Sequence, residues 1–158
     1  MGNLTKICMN DALAQQISLW NYEGKYDIYN LPSYEEMKEK KYGMVNPERA
    51  NDYICYLKEN KEVVAYASMK KMADGRIFFG IGLKPGNCGK GMGIYFLKDS
   101  LFKIKHRYPE SIIYLEVRSW NKRAINSYKK VGFILKNTVT KKDRLDNDSK
   151  FVEMELSN

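Results

Sequence analysis

Three alternating glycines, Gly89, Gly91 and Gly93, lie within FFGIGLKPGNCGKGMGIYFL, the stretch from Phe78 to Leu97. Ahead of them the apolar run Ile77 to Leu83 reads as a buried strand, ended by Lys84-Pro85-Gly86 because proline cannot donate to a ladder. Behind them a helical pattern begins near Gly93. A strand, a glycine loop and a helix N-terminus together hold phosphate. Glycine lets the backbone approach a ligand, and the first N–H groups of the helix point at it with the dipole behind them. Two familiar phosphate loops are excluded by spacing. From Gly86 the G-x-x-x-x-G-K pattern reaches Gly91 but meets Met92 where lysine is required. The dinucleotide pattern G-x-G-x-x-G would need glycine at Ile94 or at Phe96.

A second block, LEVRSWNKRAINSYKKVGF, runs from Leu115 to Phe133. Ile112 to Val117 is strand-like, and alternation turns Glu116 away from the side shared by Leu115 and Val117. A carboxylate beside low-dielectric walls has its pKa raised toward a value useful to a general base. The same glutamate would serve equally as a surface partner for a lysine or for Arg118. Asn121 then opens a helix with Ala124, Tyr128 and Val131 on one face, stopped by Gly132-Phe133, and asparagine is a favoured cap. Tyr128 carries a phenol with a proton to give at neutral pH, although an inward tyrosine is commonly core.

The two blocks together resemble the signatures of the GNAT N-acetyltransferases, in that family's order and separation, over Ile77 to Phe133. The loop is similar to the family's acetyl-CoA loop, usually Arg or Gln, two residues, Gly, one residue, Gly or Ala. Here Cys88 replaces the Arg or Gln, which removes one side chain and keeps the backbone cradle. The resemblance implies a mixed α/β fold with a mostly antiparallel sheet splayed between strands 4 and 5 and flanked by helices. It implies acetyl-CoA as cosubstrate, its thioester and pantetheine on the backbone of Ile81, Gly82 and Leu83. The pyrophosphate would lie on the N–H groups of Cys88, Gly89, Lys90, Gly91, Met92 and Gly93, with Asn121 and Tyr128 also bonding CoA. It implies Tyr128 as general acid toward the CoA thiolate and Glu116 as candidate base, since L-E-V-R-x-x-N resembles the wording of ribosomal-protein alanine acetyltransferases. Water chains serve in place of such a glutamate in other members. Cys88 would face phosphate rather than thioester, which argues against a thiol nucleophile.

The elements that must position these residues can be read around the blocks. Leu4 to Cys8 is a first strand, and Ala12 to Trp20 an amphipathic helix with Asp11 near its cap. Asn21 to Leu31 is aromatic without periodicity. With Trp20 and Tyr34, its Tyr22, Tyr26 and Tyr29 would lie on the acceptor side by resemblance, or equally in the core, which is the favoured place for Trp20. Ser33 caps a helix from Tyr34 to Lys41 with Glu36 three residues on. Gly43 to Asp52 reads as a polar connection. Tyr53 to Lys58 and Glu62 to Met72 form a hairpin, and Asp74-Gly75 turns into the next strand. Ile94, Leu97, Leu101 and Ile104 line the helix after the loop, and Phe133 to Thr140 and Lys150 to Leu156 close the chain around the polar KKDRLDNDS.

The 158 residues bound one domain, 1–158, with 44% hydrophobic and 13% aromatic content. No apolar run reaches the roughly 20 residues of a membrane span, and MGNLTKICMN has no apolar signal region, so a cytoplasmic setting is expected. Cys8, Cys55 and Cys88 are widely spaced, and His106 is the single histidine, so no metal site is expected. The balance of 27 basic to 19 acidic residues, net +8, suits a polyanion such as CoA. It also describes a generally basic surface. The expected partners are a small-molecule or peptide amine acceptor, with no membrane and no nucleic acid, in a monomer or homodimer. A non-catalytic acyl-CoA-binding regulatory module is the alternative reading.

Overall fold

The structure is a computed structural model that describes residues 3–87 and 91–157. Its seven strands are β1 (Thr5–Ile7), β2 (Tyr53–Leu57), β3 (Val63–Lys71), β4 (Ile77–Leu83), β5 (Ile113–Arg118), β6 (Phe133–Lys142) and β7 (Asp148–Leu156). They form a mostly antiparallel sheet in the order β1-β2-β3-β4-β5-β7-β6. The α-helices are α1 (Asp11–Ser18), α2 (Tyr34–Glu39), α3 (Met92–Arg107) and α4 (Lys122–Lys130). The expected α/β class and mostly antiparallel sheet flanked by helices are found. β4 and β5 are parallel neighbours, joined through α3 as a parallel pair requires. Their register pairs Ile77 with Ile113 and Phe78 with Tyr114. The chain divides into two compact units, residues 1–68 with 81–90, and residues 69–80 with 91–158.

In the first unit, β1 pairs with β2 and β2 with β3, all antiparallel. α1 buries Leu13, Ala14 and Ile17 into a core shared with Met9, Trp20, Met37, Val63 and Cys55. Its cap is Asn10, whose Oδ1 accepts the Leu13 N–H at 2.9 Å, and Asp11 is instead the first helical residue. Ser33 caps α2 as expected, accepting the Glu36 N–H. The Gly43 to Asp52 connection differs from expectation. It contains two 3-10 segments, and Met44 and Val45 of the first are buried in the core. The aromatic stretch after Trp20 winds into a 3-10 helix at Gly24–Tyr29, and the Asn30 side chain fastens it by accepting the Tyr22 N–H at 2.6 Å.

Gly82 of β4 is where backbone and side chain are most crowded. A Cβ there would stand 2.4 Å from the Tyr66 ring, which has Trp20 and Tyr53 as ring neighbours at 5.9 and 6.3 Å. The ring cannot swing aside cheaply. Gly82→Ala is expected to lower stability by about 1–3 kcal/mol through overpacking. A shift of the urea midpoint at constant slope measures this, and an unchanged midpoint would show that Tyr66 yields freely.

In the second unit, β5 pairs with β7 and β7 with β6. The β6 strand carries one extra residue, Lys136, between Leu135 and Asn137. α3 buries Phe96, Leu97, Ser100, Leu101 and Ile104; Ile94, expected on this face, is only half-buried. On α4 the buried residue is Ile125, while Ala124, Tyr128 and Val131 are half-buried. Gly132, at φ +109°, ends α4 in the left-handed region that favours glycine. The segment read as polar KKDRLDNDS lengthens both closing strands and turns tightly between them.

Candidate active site

In the first unit, Ile81, Gly82 and Leu83 are the last three residues of β4, all half-buried. The Tyr22 hydroxyl donates to the Leu83 carbonyl at 2.6 Å, and the Lys84 N–H donates to the Val64 carbonyl at 2.9 Å. The strand end is thus held by an aromatic residue that the sequence grouped with the acceptor segment. Lys84 itself is paired with Glu62 at 3.2 Å. Tyr22 and Tyr29 meet edge-on at 6.4 Å, and Tyr26 stacks on Tyr29. Trp20 belongs to the core, as favoured for it from the sequence.

In the second unit, Gly91 precedes α3 at φ +75°, followed by Met92 and Gly93 in its first turn. Cys88, Gly89 and Lys90 lie outside the described residues. Helices α1, α2 and α4 each begin with a capping side chain, from Asn10, Ser33 and Asn121. Among the described residues α3 has none, and its first turn holds no acidic residue. A Cβ built on Gly91 would meet no atom of the described residues within 4 Å, its chain neighbours aside. Backbone donors at a helix N-terminus, no capping side chain and open space beside the glycine fit an anionic ligand such as pyrophosphate.

Asn121 is buried, and its Oδ1 accepts the Ala124 N–H at 3.2 Å. The capping role is therefore the one described. Tyr128 is half-buried on α4, with its ring edge-on to Phe133 at 5.8 Å, and Phe133 stacks on Phe79 at 6.2 Å. That edge-on contact packs the phenol ring against Phe133.

Glu116 sits on β5 with its carboxylate bonded to the Lys141 ammonium, a pairing with a lysine as the plainer reading supposed. Arg118, the other partner considered, goes instead to Asp143 at 3.4 Å and Ser149 at 3.2 Å. The Asp143 carboxylate gathers the Asn147 N–H, the Ser149 hydroxyl and the Leu145 N–H, which hold its pKa down to about 2. Lys141 and Asp143 were missed by sequence reasoning. The signal for Asp143 was an aspartate ahead of a D-N pair, an Asx-turn pattern.

Cys55 is buried against Met9, and burial pushes its thiol up to about 12, so it is no nucleophile at neutral pH. His106 closes α3 exposed, beside the Phe102 ring at 4.5 Å. Among the described residues no helix is long and apolar enough to cross a membrane.

A chimera of the spermidine N-acetyltransferase SpeG from Vibrio cholerae and hSSAT superposes with a TM-score of 0.78 at 17% identity, covering 98% of this chain and 95% of the other. The ribosomal-protein-S18-alanine N-acetyltransferase from Escherichia coli gives 0.70 at 18%, covering 98% and 93%. At such identities these likenesses speak for the fold. No curated protein sequence matches. The profile of the acetyltransferase (GNAT) family, however, matches residues 14–133, which include β4, the α3 N-terminus, Glu116, Asn121 and Tyr128. On that match over most of its length, the chain is an enzyme belonging to the GNAT acetyltransferase family.

Proposed function

We propose that this protein transfers the acetyl group of acetyl-CoA to a primary amine, on a small molecule or a polypeptide N-terminus, by direct attack in a ternary complex. The observation that carries the reading is the uncapped N-terminus of α3 behind the left-handed Gly91, within a family of acetyltransferases. In this reading the N–H groups of Cys88 to Gly93 hold the pyrophosphate. The backbone of Ile81, Gly82 and Leu83 orients the pantetheine arm, with Tyr22 steadying the strand end. Acetyl-CoA supplies an acyl carbon whose leaving group is a thiolate. Glu116 takes a proton from the acceptor ammonium, one N–C bond forms as one C–S bond breaks, and Tyr128 gives a proton to the departing sulfur and regains one as the new amide nitrogen sheds its second. Asn121 keeps α4, and so Tyr128, in place through its cap. The family profile runs through residues of both units, which supports taking 1–158 as one domain. The free thiols Cys8 and Cys55 are in keeping with a cytoplasmic setting.

The non-catalytic reading is favoured by one observation, the ammonium of Lys141 on the candidate base. One experiment separates the two. Unfolding midpoints are measured with acetyl-CoA, CoA, ATP and NAD, followed by CoA release with spermidine and with an alanine-start peptide. A ligand at 100 times its dissociation constant adds about 2.7 kcal/mol, and a domain of this size gains about 2–4 °C for each kcal/mol. A rise with the two CoA species alone, together with CoA release on adding an amine, is the expected result. A rise without release for any amine supports the binding module, and no rise overturns the assignment of the loop.

A further inference from the structure

The cation on Glu116 is chemically the same group as the acceptor in the proposed reaction, a primary amine. Glu116 needs a cation for a reason visible in the register. It lies directly opposite Glu153 on β7, and like charges in that position repel. Glu153 has Arg76 at 3.6 Å and the Asn137 amide at 3.3 Å. Arg118, two residues along β5, is drawn off by Asp143 and Ser149. Lys141 is left to serve Glu116. Its backbone pairs with Ser149, one same-face step beyond Phe151, and its ammonium stands 5.0 Å from the Phe151 ring centre on its way to the carboxylate. A carboxylate and an aromatic face together make a seat for an alkylammonium ion.

The extra residue Lys136 makes this possible. Alternation counted from the buried Phe133 would place Lys141 on the core face, eight residues on. The bulge moves the pairing by one, so Lys141 stands on the face that carries Glu116 and Phe151. The neighbouring lysines go elsewhere, Lys142 to Asp148 at 3.0 Å and Lys136 to Glu155 at 3.9 Å.

We propose that Lys141 is a self-acetylation site: seated on Glu116, its amine takes the acetyl group of acetyl-CoA within the same chain. This rests on the function proposed above, with Glu116 as base. The Lys141 ammonium yields a proton to the Glu116 carboxylate, and the neutral amine attacks the thioester carbon. The N–C bond forms and the C–S bond breaks. The sulfur leaves with the electron pair and takes up the second amine proton, giving an acetamide and free CoA thiol. The acetylated side chain has lost its charge, and Glu116 is released to receive the ammonium of an external acceptor.

The test is peptide mapping by mass spectrometry after the full-length protein is incubated with acetyl-CoA and no acceptor. Transfer to spermidine and to an alanine-start peptide is measured on the same preparation. The expected result is acetylation of Lys141 ahead of Lys136 and Lys142, at a rate independent of protein concentration. Glu116→Gln should slow Lys141 about 10²-fold and leave the two neighbours at their background rate. Turnover of an added amine with Lys141 modified no faster than Lys136 and Lys142 overturns the proposal and leaves the acetyltransferase reading standing. A rate that rises with protein concentration overturns it too, since one copy would then be acting on another. Neither Lys141 nor any added amine acetylated, in protein that binds acetyl-CoA, brings down the catalytic reading and this proposal together.

Discussion

Tyr128→Phe is expected to lower the turnover number about 10²–10⁴-fold, the range for losing a proton-transfer partner, with acetyl-CoA affinity little changed. The substitution removes one oxygen and its proton. It keeps the ring, and with it the edge-on contact to Phe133 at 5.8 Å that sets the orientation of the side chain. Any loss of rate at an unchanged unfolding midpoint then belongs to the chemistry of the hydroxyl. If the tyrosine is only part of the packing around Phe133 and Phe79, phenylalanine does the same work and turnover is undiminished. Steady-state CoA release and calorimetric titration with acetyl-CoA separate the two cases. A fall in kcat with an unchanged dissociation constant assigns the proton transfer to Tyr128. A parallel loss of affinity would instead make the hydroxyl a binding contact.

The elements that came through in the sequence are those with strong local grammar. β4 runs over the same residues as the apolar stretch Ile77 to Leu83, because Pro85 cannot continue a ladder. The Ser33 cap and the Gly132 stop follow from side-chain and backbone chemistry confined to a few positions. Met44 and Val45 were hidden because a three-residue 3-10 segment is too short to show a period. The tight turn at Asp143 was hidden for a different reason. Its order comes from one carboxylate collecting two backbone N–H groups and a hydroxyl, while composition registers only a polar run.

The candidate site was legible to the same degree. Glycines at Gly91 and Gly93 and the Asn121 cap announce backbone geometry, which neighbouring residues largely dictate. The company kept by Glu116 could not be read, because it depends on the register of β5, β7 and β6. A single bulged residue, Lys136, decides which face Lys141 takes, and nothing in the β6 sequence marks that lysine as extra. Long-range side-chain pairs across a sheet are set by pairing, and pairing is a property of the whole sheet.

Gly91→Val should weaken acetyl-CoA binding by at least about 10²-fold and leave the fold standing. At φ +75° the position suits glycine, and a β-branched residue there is strained by about 1–2 kcal/mol. Among the described residues, its chain neighbours aside, no atom lies within 4 Å of the added Cβ, so the cost to the unliganded protein is that strain. The effect on binding is larger. The new side chain occupies the open space at the start of α3, where a ligand must come within hydrogen-bonding reach of the backbone. Relief of the strain would also turn the first N–H groups away. Losing two charge-assisted hydrogen bonds at about 1.5–3 kcal/mol each amounts to about 10²–10⁴ in affinity. Gly75→Val is the matching control, since Gly75 also has a positive φ, +88°, and open space, but lies in the turn between β3 and β4. It should share the loss of stability and keep the affinity. Titration calorimetry on both variants, beside their unfolding midpoints, checks the pair. Wild-type affinity in Gly91→Val would remove this glycine, and the α3 N-terminus with it, from the binding of acetyl-CoA. Equal losses in both variants would trace the effect to a general loosening of the fold.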